Sequence, residues 1–446
     1  MRVEARLAFD RAALDRFRPG YPFWRHVFIV PDGSVAFGSA RDGRLLATLP
    51  VRGADWSRED HWEEPDLATA LEGAALPARL GDRRQRVSEL LEPSVGPTID
   101  NYTRGDLLLQ NVRRYGSFLE EWGRIYERFG VPAEIGLAQA VVESGLSGTV
   151  KSEARATGFC QWLPPNWRRL DSLSPHVIEV ENQTTQAAYC AAHLSILATK
   201  YGSFIPALSE HHAGGPNVGR AVINGRRLGA MDVREQYLRG GEFALDLRAL
   251  APGDFSDVLG TYGPRSFRYA EMVFGNLATV HALRDSVPQE RVFAMRAPRP
   301  LTLDEVARRS GLARAEVRRF NPALARRVPQ GATLYLPAPV EALGPDVSFW
   351  HRPPPPAYAA VLNDFVRLQA TLEEWEDPSF DAVLRDFRRR FQATDSEEGT
   401  VMATVLGYVM QQMPNGRRIL SDFRTNRRLT RRFEEGVRLR ETVLAH

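Results

Sequence analysis

The stretch 131–164, VPAEIGLAQAVVESGLSGTVKSEARATGFCQWLP, constrains the fold of this chain more than any other. Pro132 suits the first position of a helix, and Glu134 suits the first turn, where a carboxylate meets the positive end of the helix dipole. Ile135, Leu137, Ala138, Val141 and Val142 follow and leave the segment almost wholly apolar. A helix that is apolar all round must be enclosed by other elements. It ends on one acid, Glu143, followed by Ser144 and by Gly145, a residue that helices commonly use for a left-handed stop. Glu143 is therefore expected at the C-terminus of a buried helix. Burial and the negative end of the dipole there favour the neutral carboxylic acid, the form that can protonate a leaving oxygen.

The flanking sequence supplies the enclosure. Val112, Tyr115, Phe118, Leu119, Trp122, Ile125, Tyr126 and Phe129 stand at helical spacing, and Gly130 ends that run, so a helical hairpin leads into Glu143. A further helix is read over 184–199, where Ala187, Ala188, Ala191 and Ala192 permit close packing around a cleft. Helical segments at 201–215, 219–229 and 267–283 follow. No alternating strand pattern interrupts 110–285, so this part is expected to be all-helical.

Beyond Glu143 come Ser152, Ala156, Gly158 and Gln161. The string Glu-Ser-Gly, then Ser-x-Ala-x-Ala-x-Gly-x-x-Gln-x-x-Pro, resembles the lytic transglycosylases with a lysozyme-like domain, above all their membrane-bound type D branch. The resemblance covers about 110–286. It implies a peptidoglycan glycan strand as partner and Glu143 as the catalytic residue, acting as acid and then as base. The bond cut would join N-acetylmuramic acid to N-acetylglucosamine, and the product would carry a 1,6-anhydro end. The resemblance implies no metal and no cofactor. A lysozyme-type hydrolysis by the same acid, and a wall-binding scaffold with little activity, are the alternatives.

The same resemblance proposes substrate-binding residues. Ser144 and Gln161 match motif positions, Ser152 opens the second half of the motif, and Phe159 and Trp162 offer flat rings that suit sugar faces. Tyr269 lies in the segment matching the family's closing helix, where an aromatic residue faces the acid. Each has a plainer reading: a helix cap for Ser144, a backbone-bonding loop residue for Gln161, core for the aromatics. Two departures stand out. His211 and His212 occupy the Tyr and Asn positions of the family's Ala-Tyr-Asn-x-Gly motif, and Arg155 replaces a usual Gly. A metal site on the two histidines is disfavoured, because adjacent residues on a helix point apart.

The remaining regions are less informative. Residues 1–109 form a mixed region, with nothing assigned to 1–21, a three-stranded β meander at 24–51 marked by two Asp-Gly turns, and a helix near 84–91. Residues 290–340 read as strand, helix opened by a Thr302 to Glu305 capping box, helix stopped at Asn321-Pro322, and strand. That order resembles a LysM glycan-binding module, although Pro298, Arg299 and Pro300 replace its usual start. A helix-turn-helix DNA reader, with Arg314, Arg318 and Arg319 as its basic residues, is opposed by the flanking strands, so no nucleic acid partner is expected. The Pro run 353–356 is read as a stiff spacer before a C-terminal helical domain at 357–446. The N-terminal or C-terminal domain could hold a protein partner.

The fold class is thus mainly α. Net charge is only +3, and the basic residues are Arg apart from Lys151 and Lys200. No run reaches the ~18 apolar residues of an integral membrane span. The resemblance places the chain in the periplasm or cell envelope, although its first thirty residues lack the apolar core of a secretory signal. Cys160 and Cys190 are read as buried free thiols, with a disulfide as the alternative outside the cytoplasm.

Overall fold

The computed structural model describes residues 3–52, 55–170, 173–260 and 263–444. They are mainly helical, with small antiparallel sheets. Helix α1 (Val3–Phe17) occupies the stretch to which the sequence assigned nothing. Its buried Asp10 explains why it is held. The carboxylate accepts from Ser203 Oγ and from the Phe204 N–H, both at 2.7 Å, and pairs with Arg234 at 2.5 Å.

The expected meander at 24–51 is corrected in its first run. Trp24–Ile29 is a helix, α2, with Trp24, Val27 and Phe28 turned inward at helical spacing. Strands β1 (Ser34–Ser39) and β2 (Leu45–Pro50) do form the expected hairpin. The third strand comes from much later in the chain. Past helix α3 (Leu80–Val95), β3 (Thr98–Tyr102) pairs with the free edge of β1, giving the order β2-β1-β3. Val, Phe and Ile suit a strand or a buried helix face equally, so tertiary packing decided between them.

The central body begins with α4 (Gly105–Tyr115), α5 (Leu119–Arg128) and α6 (Ala133–Ser144). As the composition of α6 requires, its side chains from Ile135 to Val141 are all buried. Gly145, with φ 50° and ψ 40°, ends the helix in the left-handed region. Then follow α7 (Gln183–Tyr201), α8 (Phe204–Ala213), α9 (Gly215–Arg227), α10 (Val233–Leu250), α11 (Tyr269–Gly275) and α12 (Leu277–Ser286). The single closing helix expected over 267–283 is therefore two, broken at Asn276. The side-chain amide of Asn276 donates to the Met272 carbonyl at 2.9 Å.

Strands β4 (Phe293–Arg296) and β5 (Thr333–Leu336) pair antiparallel around α13 (Leu303–Ser310) and α14 (Arg314–Phe320). This piece closes a core of its own from Met295, Leu301, Val306, Val317 and Leu334. Thr302 caps α13 by accepting the Glu305 N–H at 3.1 Å. The reciprocal half of the expected capping box is absent, because Glu305 pairs instead with Arg299 and Arg309. Arg314 pairs with Asp304, and Arg319 with Glu290 and Glu316.

The C-terminal helices are α15 (Pro356–Val366), α16 (Leu372–Glu376), α17 (Asp381–Gln392), α18 (Glu397–Thr425) and α19 (Arg427–Leu444). Phe365, Trp375, Leu406 and Leu420 from this region belong to the same continuous core as α5, α6 and α7. The Pro run is not a spacer between independent bodies. On its two sides, Arg128 donates to the carbonyls of Phe349 and Arg352, and Tyr358 Oη donates to the Arg128 carbonyl at 2.8 Å. Among the described residues no helix is long and apolar enough to cross a membrane.

Candidate functional site

The C-terminal end of α6 opens on a cavity of about 660 Å³. Glu143, Ser152, Gln161, Trp162, His211 and His212 all line it. Helix α6 itself supplies Glu143, helix α8 the two histidines, and the loop after α6 supplies Ser152, Gln161 and Trp162.

Around the Glu143 carboxylate, polar side chains converge from two helices. Tyr269 of α11 donates its hydroxyl to Oε1 at 2.6 Å, and His211 Nε2 lies 3.5 Å from the same oxygen. Burial first, and the Glu143 charge second, push the Tyr269 phenol well above the ordinary tyrosine range, so it remains a donor. His212 stacks on the Tyr269 ring with centroids 4.6 Å apart and a 24° tilt. Burial lowers the His212 imidazole pKa, with the Glu143 charge acting in opposition. On its far side His211 presents Nδ1 to His193 Nδ1 at 3.4 Å. Burial, helped by the charge of His211, pushes His193 down to about 3 and keeps it neutral. Arg265, also near the acid, is pushed down to about 10 by burial and by Arg104, against the pull of Glu143.

The loop that carries the motif is held from beneath by one buried amide. Gln186 of α7 accepts the Phe159 N–H at 3.1 Å and donates to the carbonyls of Gly148 and Val180 at 2.9 and 2.7 Å. Gly158 is required where it stands. Its φ is +73°, and a Cβ there would come within 2.2 Å of the Gln186 amide. Arg155 also has a left-handed backbone, with φ +62°. Ser152 Oγ accepts the Ala156 N–H at 3.1 Å and closes the turn around it. Gln161 Nε2 donates to the carbonyls of Gly158 and Val150 at 3.1 and 3.3 Å, so its amide nitrogen is engaged with backbone at the cavity wall.

Three readings require correction. Cys160 and Cys190 are not free thiols: they form a disulfide with Cα atoms 5.7 Å apart, because the loop folds back onto α7 and brings them within bonding range. Ser144 does not face the cavity. It is buried, and its hydroxyl donates to the Ala140 carbonyl of its own helix at 3.1 Å. Phe159 is also fully buried, set edge-on against Trp122 with centroids 4.9 Å apart.

Other cavity residues escaped sequence reasoning. Part of the wall comes from the C-terminal region, through Tyr408, Gln412 and Met413 of α18 and Glu376 of α16. Lys200 Nζ joins Glu376 and Glu210 at 3.0 and 3.1 Å. Burial alone would lower the Lys200 ammonium, but the two carboxylates outweigh it and its pKa stands above the ordinary value. Tyr201 donates its hydroxyl to Glu210 as well. Lys200 carried a signal, being one of only two lysines in the chain. His193 carried another, as an imidazole within an otherwise Ala-rich helix. Nothing local marked Glu376 or Tyr408. Among the described residues no group of three or more His, Cys, Asp or Glu side chains could hold a metal ion. The sequence matches no protein-family model and no curated protein.

Proposed function

We propose that this chain is a peptidoglycan lytic transglycosylase with a lysozyme-like catalytic domain, working in the periplasm or cell envelope, with Glu143 as its acid and base. The observation that carries this reading is the Glu143 carboxyl group at a cavity wall, bonded by the Tyr269 hydroxyl. Glu143 gives its proton to the oxygen joining N-acetylmuramic acid to N-acetylglucosamine. The bond from C1 to that oxygen breaks, and the leaving sugar departs with a new hydroxyl. The 2-acetamido oxygen of the muramic acid unit stabilises the positive centre at C1. The Glu143 carboxylate then takes the proton of the C6 hydroxyl, whose oxygen closes on C1 as a 1,6-anhydro ring. Glu143 ends as it began.

Between the two steps the carboxylate carries a full charge, and the Tyr269 hydroxyl stabilises it. A one-carboxylate scheme is supported by the engagement of the other acids on the cavity wall, since Glu210 and Glu376 are both held by Lys200. A two-carboxylate glycosidase needs its second acid available as base or nucleophile. The strand-helix-helix-strand piece at 290–340 would serve as a LysM-like glycan-binding module.

Mass spectrometry of murein digested by the full chain tests the reading. Anhydro ends support it. Reducing ends would assign the lysozyme-type hydrolysis, and a folded protein releasing nothing would be a wall-binding scaffold. Glu143→Gln, which keeps the shape and removes the proton, is the control.

A further inference from the structure

A second cavity, of about 390 Å³, lies where α7, β4, β5 and the first turn of α18 meet. One of its residues is Glu179, in the short helix Val177–Val180 before α7, with a side chain only 1% exposed. Its Oε1 accepts the Thr333 N–H and the Arg296 guanidinium, the latter at 3.3 Å. Its Oε2 is buried and has no hydrogen-bond partner. A buried carboxylate oxygen left unmet is costly, so a donor arriving there would bind favourably. The same cavity is lined by the rings of Tyr189, Tyr335 and Trp350 and by the hydroxyls of Ser174, Thr185 and Thr400.

Charge narrows the ligand class. Arg296 already neutralises Glu179, while Asp395 and Glu397 stand exposed at the rim. An anion would meet three carboxylates and one guanidinium. A cation would find the buried carboxylate already paired. What remains is a neutral molecule with hydroxyl donors and a flat apolar face. The geometry points to a second carbohydrate-binding site, taking a neutral sugar unit that donates a hydroxyl to Glu179 Oε2 and lays a ring face on the aromatic wall.

Both cavities lie along one seam. On α7, Thr185 and Tyr189 line the second cavity, and His193 and Lys200 the first. On α18, Thr400 and Val401 line the second, and Tyr408 and Gln412 the first. The two helices run side by side in the same direction, and eight residues of helix correspond to about 12 Å. A glycan bound at the second site is thus held within a few sugar units of Glu143; that natural ligand rests on the proposed function, whereas the affinity for a neutral sugar does not.

Triacetylchitotriose is the probe, titrated into the full chain by calorimetry and mapped by hydrogen exchange. Protection of residues 174–189, 333–335 and 395–401 is expected, with trigalacturonate, a trianion of equal length, giving none. Glu179→Gln should weaken that binding by about tenfold, the effect of losing one hydrogen bond to a charged group. Thr400→Trp, at an exposed helix position, should fill the cavity and weaken it at least as far without touching the core, which keeps the test open if the first variant misfolds. No protection of these segments in the folded chain, equal protection by trigalacturonate, or unchanged binding in a folded Thr400→Trp would overturn the proposal. Failure of the murein digest with protection retained would remove the catalytic reading alone.

Discussion

Glu143 and Glu179 each line a cavity on the seam between α7 and α18, yet their carboxylates are partnered by different kinds of group. Around Glu143 stand a phenol that remains a donor and an imidazole whose ring nitrogens can donate or accept. Around Glu179 stand a backbone N–H and a guanidinium, which donate permanently and exchange nothing at neutral pH. Glu179 thus meets fixed donors only, whereas Glu143 also meets a ring that can pass a proton. With the proposed function, that difference sets a reacting carboxylate at the first cavity against a binding one at the second.

The sharpest way to break this contrast is Glu143→Gln. Glycan release should fall by roughly 10³-fold, within the range for losing a general acid, while the unfolding midpoint stays where it was. An equal loss of release in Glu179→Gln would erase the distinction. The disulfide comes next, since it anchors the loop of the first cavity and none of the second. Replacing Cys160 and Cys190 together by serine opens a loop with a sequence separation of 30, and should cost ~3–4 kcal/mol in denaturant unfolding. Hydrogen exchange should quicken in residues 145–164 and leave 333–335 as they were.

Acid should also act on the first cavity. His193 is neutral in the folded chain with a pKa of about 3, while an unfolded histidine takes its proton near the ordinary 6.5. The unfolded state therefore binds more protons across that window, so stability is lost as pH falls through it. The loss should be about 2 kcal/mol between pH 8 and pH 5, and His193→Phe should flatten that part of the stability profile. The smallest effect is that of Tyr269→Phe. It removes the hydroxyl from Glu143 but keeps the ring beneath His212, so murein release should slow by about tenfold with little change in stability. An unaltered rate would leave Tyr269 as packing and weaken the contrast with Glu179.

The candidate site was legible only where local rules applied. The loop from Gly145 to Gln161 was marked by its glycines and small residues, but Gln186, which holds that loop, sits in a helix that reads simply as Ala-rich core. Ser144 and Phe159 failed as cavity residues because a motif position does not specify which way a side chain turns. Ser144 found an acceptor one turn back in its own helix, and Phe159 filled a gap beside Trp122.

The sequence by itself determined the buried helix, its left-handed stop and the position of Glu143, together with the strand-helix-helix-strand order near residue 300. Those features follow from contacts between residues three or four apart and from the few residues that tolerate a positive φ. Tertiary structure alone decided that Trp24–Ile29 is helical, that β3 completes the first sheet, that Cys160 meets Cys190 and that α18 walls the Glu143 cavity. Each of these depends on burial between segments distant in the chain, where several pairings satisfy the same local pattern and only close packing of the whole selects one.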